Sequence, residues 1–152
     1  MDGGENSMSA KDEAQAQSLE AALAILKEML TDAQYQGMAA RVESTSDDFG
    51  GTAFRRTIAQ TYGDNWTGEA LSRKERSLLT IGLMIGLRTP AELGHQFKIA
   101  IRNGFTPRQI EEMINHAQPY VGILVAAAAG AVAQQSLGDL GIKLTDRTPE
   151  DE

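Results

Sequence analysis

The chain has 152 residues, the length of a single domain, and 41% of them are hydrophobic. Its net charge is −7, with no dense group of Lys and Arg, which excludes the basic surface that a nucleic-acid partner requires. There is no cysteine, so disulfides, thiolate metal sites, thiol nucleophiles and dithiol redox chemistry are excluded as well.

The opening residues 1–11 carry Gly, Ser, Asp and Glu with nothing to bury, and they read as a disordered tail. They lack the basic end and apolar core of a secretion signal. The stretch Val121–Ala133 is too short to span a membrane. A soluble cytoplasmic protein without a membrane partner is expected. The stretch "DEAQAQSLEAALAILKEMLTDAQYQGMAARV" follows, with Leu19, Leu23, Leu26 and Leu30 at three- and four-residue steps, a helix that Gly37 would interrupt or end. "ESTSDDFGG" is a loop. Phe54, Ile58 and Tyr62 recur every four residues and predict a helix capped by Thr52, and "GDNWTGEA" a turn.

Ser72 and Glu75 form a capping box at the head of "SRKERSLLTIGLMIGL". The second half of this segment is apolar nearly all round, which predicts a central buried helix. Gly82 and Gly86, four residues apart, leave a smooth strip for another helix. Thr89 and Pro90 open the next helix as N-cap and first residue, and Asn103 and Gly104 close it. Thr106, Pro107 and Gln109 repeat the device, and Pro119 is expected to end or kink that helix at Gln118. A last helix rich in Ala and Gly runs from Tyr120, and residues 141–152 form a polar tail. The whole reads as all-α, five or six helices, with a single domain over residues 12–140.

Candidate chemistry concentrates in "AELGHQFKIAIRNGFTPRQIEEMINHAQPYVG". Glu92 meets His95 at i+3 and Gln96 at i+4 on one side of a helix. A carboxylate beside an imidazole raises its pKa and fixes its tautomer, as a proton donor needs. The same spacing equally describes an ion pair on an exposed surface. His116 shares a face with Ile110, Met113 and Ala117 and is expected to point inward, where it serves either as a catalyst or as a structural residue. Two histidines and a carboxylate at these spacings do not make a metal site. Arg76, early in a buried helix, pairs with an acid or holds an anionic ligand. Trp66 walls a pocket or staples a helix, and Tyr120 places a hydroxyl near a cavity or simply packs.

The segments "LSRKERSLLTIGLMIGL" and "AELGHQFKIAIRNGFTPRQIEEMINHAQPYVGILVAAAAGA", with "YGDNWTGEALSRKER" upstream, resemble the carboxymuconolactone decarboxylase family over roughly Phe54 to Gln135. The resemblance implies the all-helical fold that this family shares with alkylhydroperoxidase D, and a homo-oligomer, trimer or hexamer. Without cysteine the chain resembles the decarboxylase branch and not the peroxidase branch. That branch removes CO2 from a carboxylated unsaturated γ-lactone, converting 4-carboxymuconolactone to 3-oxoadipate enol-lactone in aromatic catabolism, with no cofactor and no metal. Catalytic Glu92, His95 and His116, with Arg76, Gln96, Trp66 and Tyr120 holding a small-molecule substrate, are the roles that the resemblance implies. The family's usual histidine falls at Gln96, and His95 lies one residue earlier, rotated by about 100° on the helix. Gln96 can orient a carbonyl but cannot shuttle a proton at neutral pH. That shifts proton work toward His116 and leaves open an isomerase or cyclase of secondary metabolism, or a non-catalytic binder. The expected geometry is a set of helices that bring these ionisable groups to one secluded cavity.

Overall fold

A computed structural model of the chain describes residues 9–44 and 49–142; part of the expected loop and most of both expected tails lie outside them. The described residues are helical, without a strand, and no helix among them is long and apolar enough to cross a membrane. They fall into two compact units, Met1–Ala70 and Leu71–Glu152.

In the first unit, α1 spans Ala10–Met29, α2 Asp32–Ser44 and α3 Gly51–Ile58, and α3 runs on into a π-helical segment, Ala59–Asn65. Helix α1 starts inside the stretch read as a tail, because Ser9 Oγ accepts from the Asp12 amide while the Asp12 carboxylate accepts from the Ser9 amide. The break after α1 falls at Leu30, not at Gly37. There Leu30 is extended, and a second reciprocal pair, Thr31 with Gln34, opens α2. A T-x-x-Q box satisfies two backbone donors at once, which a glycine in mid-helix does not. Helix α3 is capped by Gly50, in the left-handed region at φ 81°, not by Thr52. Arg55 Nη1 donates to the Val42 carbonyl at 2.9 Å, and the Arg41 guanidinium lies 4.3 Å from the Phe54 ring centroid, so two cations tie α2 to α3.

The π-helical segment packs most extensively on α1. Gly63 makes this possible, since a Cβ there would overlap the Ser18 carbonyl. Thr67 Oγ1 donates to the Gly63 carbonyl at 2.6 Å and ends the segment.

The second unit holds α4 (Arg73–Leu87), α5 (Pro90–Arg102), α6 (Pro107–Val121) and α7 (Ile123–Gly138). Helix α5 packs on α4 and α7, and α6 packs on the same two helices. Their shared core is Ile81, Ile85, Leu93, Phe97, Ala100, Ile110, Ile114, Ala126, Ala129, Ala133 and Leu137. The capping boxes Ser72–Glu75 and Thr106–Gln109 are both formed, and Gly104 turns the chain after α5 at φ 92°. Where α5 crosses α7, the position without a side chain is Gly94, whose added Cβ would stand 3.0 Å from Ser136 Oγ. Asn103 Nδ2 donates to the buried Ser77 Oγ at 2.8 Å, and Lys98 pairs with Asp139 at 2.7 Å.

Two expectations are corrected in this unit. Helix α6 does not end at Gln118 but runs through Pro119 to Val121, stopping at Gly122 with φ 91°. A proline this close to a helix end removes only one hydrogen bond and leaves the Asn115 carbonyl on an exposed turn. Helix α4 is not buried all round. Only Ser77, Ile81 and Ile85 are buried, while Leu78, Leu79, Leu83 and Leu87 are 48–71% exposed.

Candidate active site

Helices α4 and α6 border an open cleft of about 370 Å³, lined by Leu78, Ile81, Gly82, Ile85, Phe105, Gln109, Glu112, Met113, His116 and Ala117. Its walls are mostly apolar, and three polar side chains, Gln109, Glu112 and His116, stand along one face of α6. The size and the few polar groups suit a small ligand that is largely desolvated when bound. Local sequence sets this face. Thr106 and Gln109 fix where α6 begins, and Ile110 and Ile114 turn one side into the core. Residues at steps of three and four, Gln109, Glu112, Met113 and His116, are then presented together.

His116 is exposed at the edge of this cavity, not turned into the core as its apolar neighbours suggested. Ile110 and Ile114 take the buried stripe, and by the 3.6-residue turn His116 lies about 120° around the helix from Ile110 and about 160° from Ile114. Its ring lies against Tyr120, with centroids 5.5 Å apart and planes at 44°. Tyr120 itself is 78% exposed, so it forms a rim beside the imidazole and not a wall. Glu112, one turn before His116, is a carboxylate that the sequence reading passed over. The signal was present, because Glu112 and His116 stand at i,i+4, the same logic that drew attention to Glu92 and His95.

Glu92 and His95 are exposed on α5. Neither lines this cavity, the hollow of about 320 Å³ between α6 and α7, or the hollow of about 240 Å³ beside the α4–α5 turn. Gln96 lines none of the three hollows either: it is buried at 6% exposure, and its Oε1 has no hydrogen-bond partner among the described residues. A buried acceptor without a donor costs about 1–3 kcal/mol. Arg76 is half-buried in the first turns of α4, which also supplies one wall of the cavity. Trp66 belongs to the first unit, where it is buried and lies 5.9 Å from the Tyr62 ring centroid. Within the second unit, then, His116 is joined to a cavity and to Tyr120, while Glu92 and His95 stand apart from them.

The second unit thus sets an imidazole and a carboxylate beside a mostly apolar hollow on an all-helical frame. The chain belongs to the carboxymuconolactone decarboxylase family, whose profile it matches over residues 52–135. It is 39% identical over 89 residues to the nitrosuccinic acid decarboxylase npaB of Metarhizium robertsii, covering 59% of this chain and 62% of that one. It is 33% identical over 81 residues to the 4-carboxymuconolactone decarboxylase of Acinetobacter baylyi, covering 53% of this chain and 60% of that one. The chain thus spans about three-fifths of the length of each of these two relatives.

Proposed function

We propose that the chain is a decarboxylase acting without a cofactor on a small carboxylated compound, a lactone of the 4-carboxymuconolactone type or a related acid. The observation that carries the reading is the placement of His116 and Glu112 on a small, mostly apolar cleft. Two relatives with decarboxylase names support it. Loss of CO2 breaks a C–C bond and leaves its electron pair on the substrate, where a conjugated lactone carbonyl accepts it as a dienolate or an α-nitro group accepts it as a nitronate. The protein then has to steady that charge and return a proton to carbon.

In this reading His116 is the proton donor, and the Glu112 carboxylate lines the same wall one turn before it. Gln109 is the neutral polar group on the same wall. Arg76, half-buried at the head of α4, holds the substrate's remaining carboxylate. Glu92 and His95 form a second acid–base pair on α5. The working protein is an assembly of identical copies, trimer or hexamer, in the cytoplasm.

The test is CO2 release from purified protein offered 4-carboxymuconolactone and, separately, nitrosuccinic acid. Turnover of at least one is expected, and His116→Ala is expected to lower kcat by about 10²–10⁴-fold, the usual weight of a general acid. His95→Ala should cost less. If His116→Ala turns over at the wild-type rate, the assignment to this cavity is wrong. If neither compound loses CO2 yet one binds, the chain is a binder or acts on a different acid.

A further inference from the structure

The cleft between α4 and α6 has a charge balance that does not by itself suit an acid. Of its lining side chains only Glu112 and His116 are ionisable, and the chain as a whole carries −7. A carboxylate that enters a mostly apolar recess beside another carboxylate is repelled and loses water at the same time. A cleft that takes anions needs a cation at its wall.

Lys74 supplies one. On α4, Lys74, Leu78, Ile81 and Ile85 follow at steps of four, three and four residues, which sets them along one face. The last three line the cleft, so Lys74 extends the same wall by one turn, about 6 Å along the axis. Its side chain is half-buried, and its Nζ stands 4.7 Å from the centroid of the Phe105 ring, itself part of the lining. That is within the ~6 Å over which an aromatic face holds an ammonium. The ring steadies the ammonium without neutralising it. Lys74 has no ion pair among the described residues, so its charge is available to a ligand. Helix α6 fixes where along the cleft this cation stands. Phe105 precedes the first turn of α6, and Gln109 and His116 lie two turns, about 10 Å, apart along it. Lys74 therefore marks the end of the cleft away from His116.

We infer that Lys74 is a specificity-determining residue of this cleft: its ammonium, seated on Phe105, reads the far carboxylate of a small dicarboxylate whose other end lies at His116. This rests on the decarboxylase reading for the role of His116, and it narrows that reading to acids that keep a second carboxylate several bonds from the carbon that loses CO2. Lys74 joins Arg76 in holding the retained carboxylate, from the side of Phe105.

Binding tests this without turnover. Terephthalate, a planar dicarboxylate, and benzoate, which lacks the second carboxylate, are titrated calorimetrically into the full chain. The chain has two histidines, so carbethoxylation by diethyl pyrocarbonate, read by peptide mass spectrometry at His116 against His95, reports whether the cleft is occupied. Terephthalate should bind the wild type about tenfold or more tightly than benzoate, the weight of one charge-assisted hydrogen bond, and should shield His116. Lys74→Met keeps an unbranched stem over Phe105. It should lose about tenfold in affinity for terephthalate and less than about twofold for benzoate, and Lys74→Arg should keep the preference. With an acid that turns over, Lys74→Met should raise KM about tenfold and leave kcat within about twofold. The wild-type measurements decide even where Lys74→Met fails to fold. Equal affinity for the two acids, binding of neither, or a terephthalate complex whose His116 reacts as fast as in the free protein each overturn the inference. So does a Lys74→Met protein that keeps the preference, since the carboxylate then rests on Arg76 alone. A preference and shielding that Lys74→Met abolishes, without turnover of any acid offered, would leave Lys74 in its role and defeat the decarboxylase reading instead.

Discussion

Gln96 is the side chain whose chemistry is least satisfied. Its Oε1 is buried and unpartnered among the described residues. Gln96→Leu exchanges that orphan acceptor for a side chain of similar size that needs no partner. We expect the variant to be more stable by about 1 kcal/mol and to leave KM and kcat unchanged, because Gln96 lines none of the three hollows. Thermal melts and steady-state kinetics on the same preparation check both halves. A loss of stability would mean that the amide has a partner in the folded protein. Residue types and spacings carried part of this site and not the rest. Glu112 and His116 were legible as an i,i+4 pair, but the direction of His116 was not. Its face holds both apolar and polar neighbours, and only the packing of α7 decides that Ile110 and Ile114 take the core.

Four of the described helices, α1, α2, α4 and α6, start at a reciprocal box, while α3, α5 and α7 have no side-chain cap. Ser9–Asp12, Thr31–Gln34, Ser72–Glu75 and Thr106–Gln109 each close a first turn with interactions three residues apart, so each could be read locally. The π-helical segment could not be read this way, because it depends on Gly63 lying against Ser18, forty-five positions away in the chain. Glu75 gives the boxes a pH dependence. Hydrogen bonds from the Ser72 amide and hydroxyl hold its carboxyl below the ordinary value. A lowered folded-state pKa stabilises above the unfolded-state value and is lost as pH falls through the folded-state value. The melting temperature of wild type should therefore converge on that of Glu75→Gln as the solution is acidified below the normal glutamate range. Equal spacing between the two curves at every pH would show that the box does not hold the carboxylate in its charged form.

At the scale of the molecule, charge and apolar surface act against each other. Each copy carries −7, and the proposed assembly of identical copies brings such charges together, with the exposed leucines of α4 as apolar surface for the contact. Repulsion between them is long-ranged at low ionic strength, where the Debye length is about 30 Å at 0.01 M, and short at 0.15 M, where it is about 8 Å. Association is expected to tighten as salt rises over this interval, because screening removes the repulsion while the leucine contact remains. Sedimentation equilibrium at the two ionic strengths measures it. Weaker association at the higher salt would mean that ion pairs, not the exposed leucines, hold the copies together. The helical class of the molecule was legible from its apolar periodicity. The exposure of α4 was not, since an all-round apolar sequence states that a helix wants cover without stating whether the same chain supplies it.

The turn after α4 has a consequence of its own. Arg88 stops that helix at φ 59°, the one non-glycine residue with positive φ among those described, and it is the sole charged side chain lining the 240 Å³ hollow with Met84, Leu93 and Leu124. A left-handed arginine is strained by about 1 kcal/mol where glycine would be relaxed. Arg88→Gly should consequently melt a few degrees higher while emptying that hollow of its only cation, so thermal tolerance and the polarity of this recess are set by one dihedral angle and move in opposite directions.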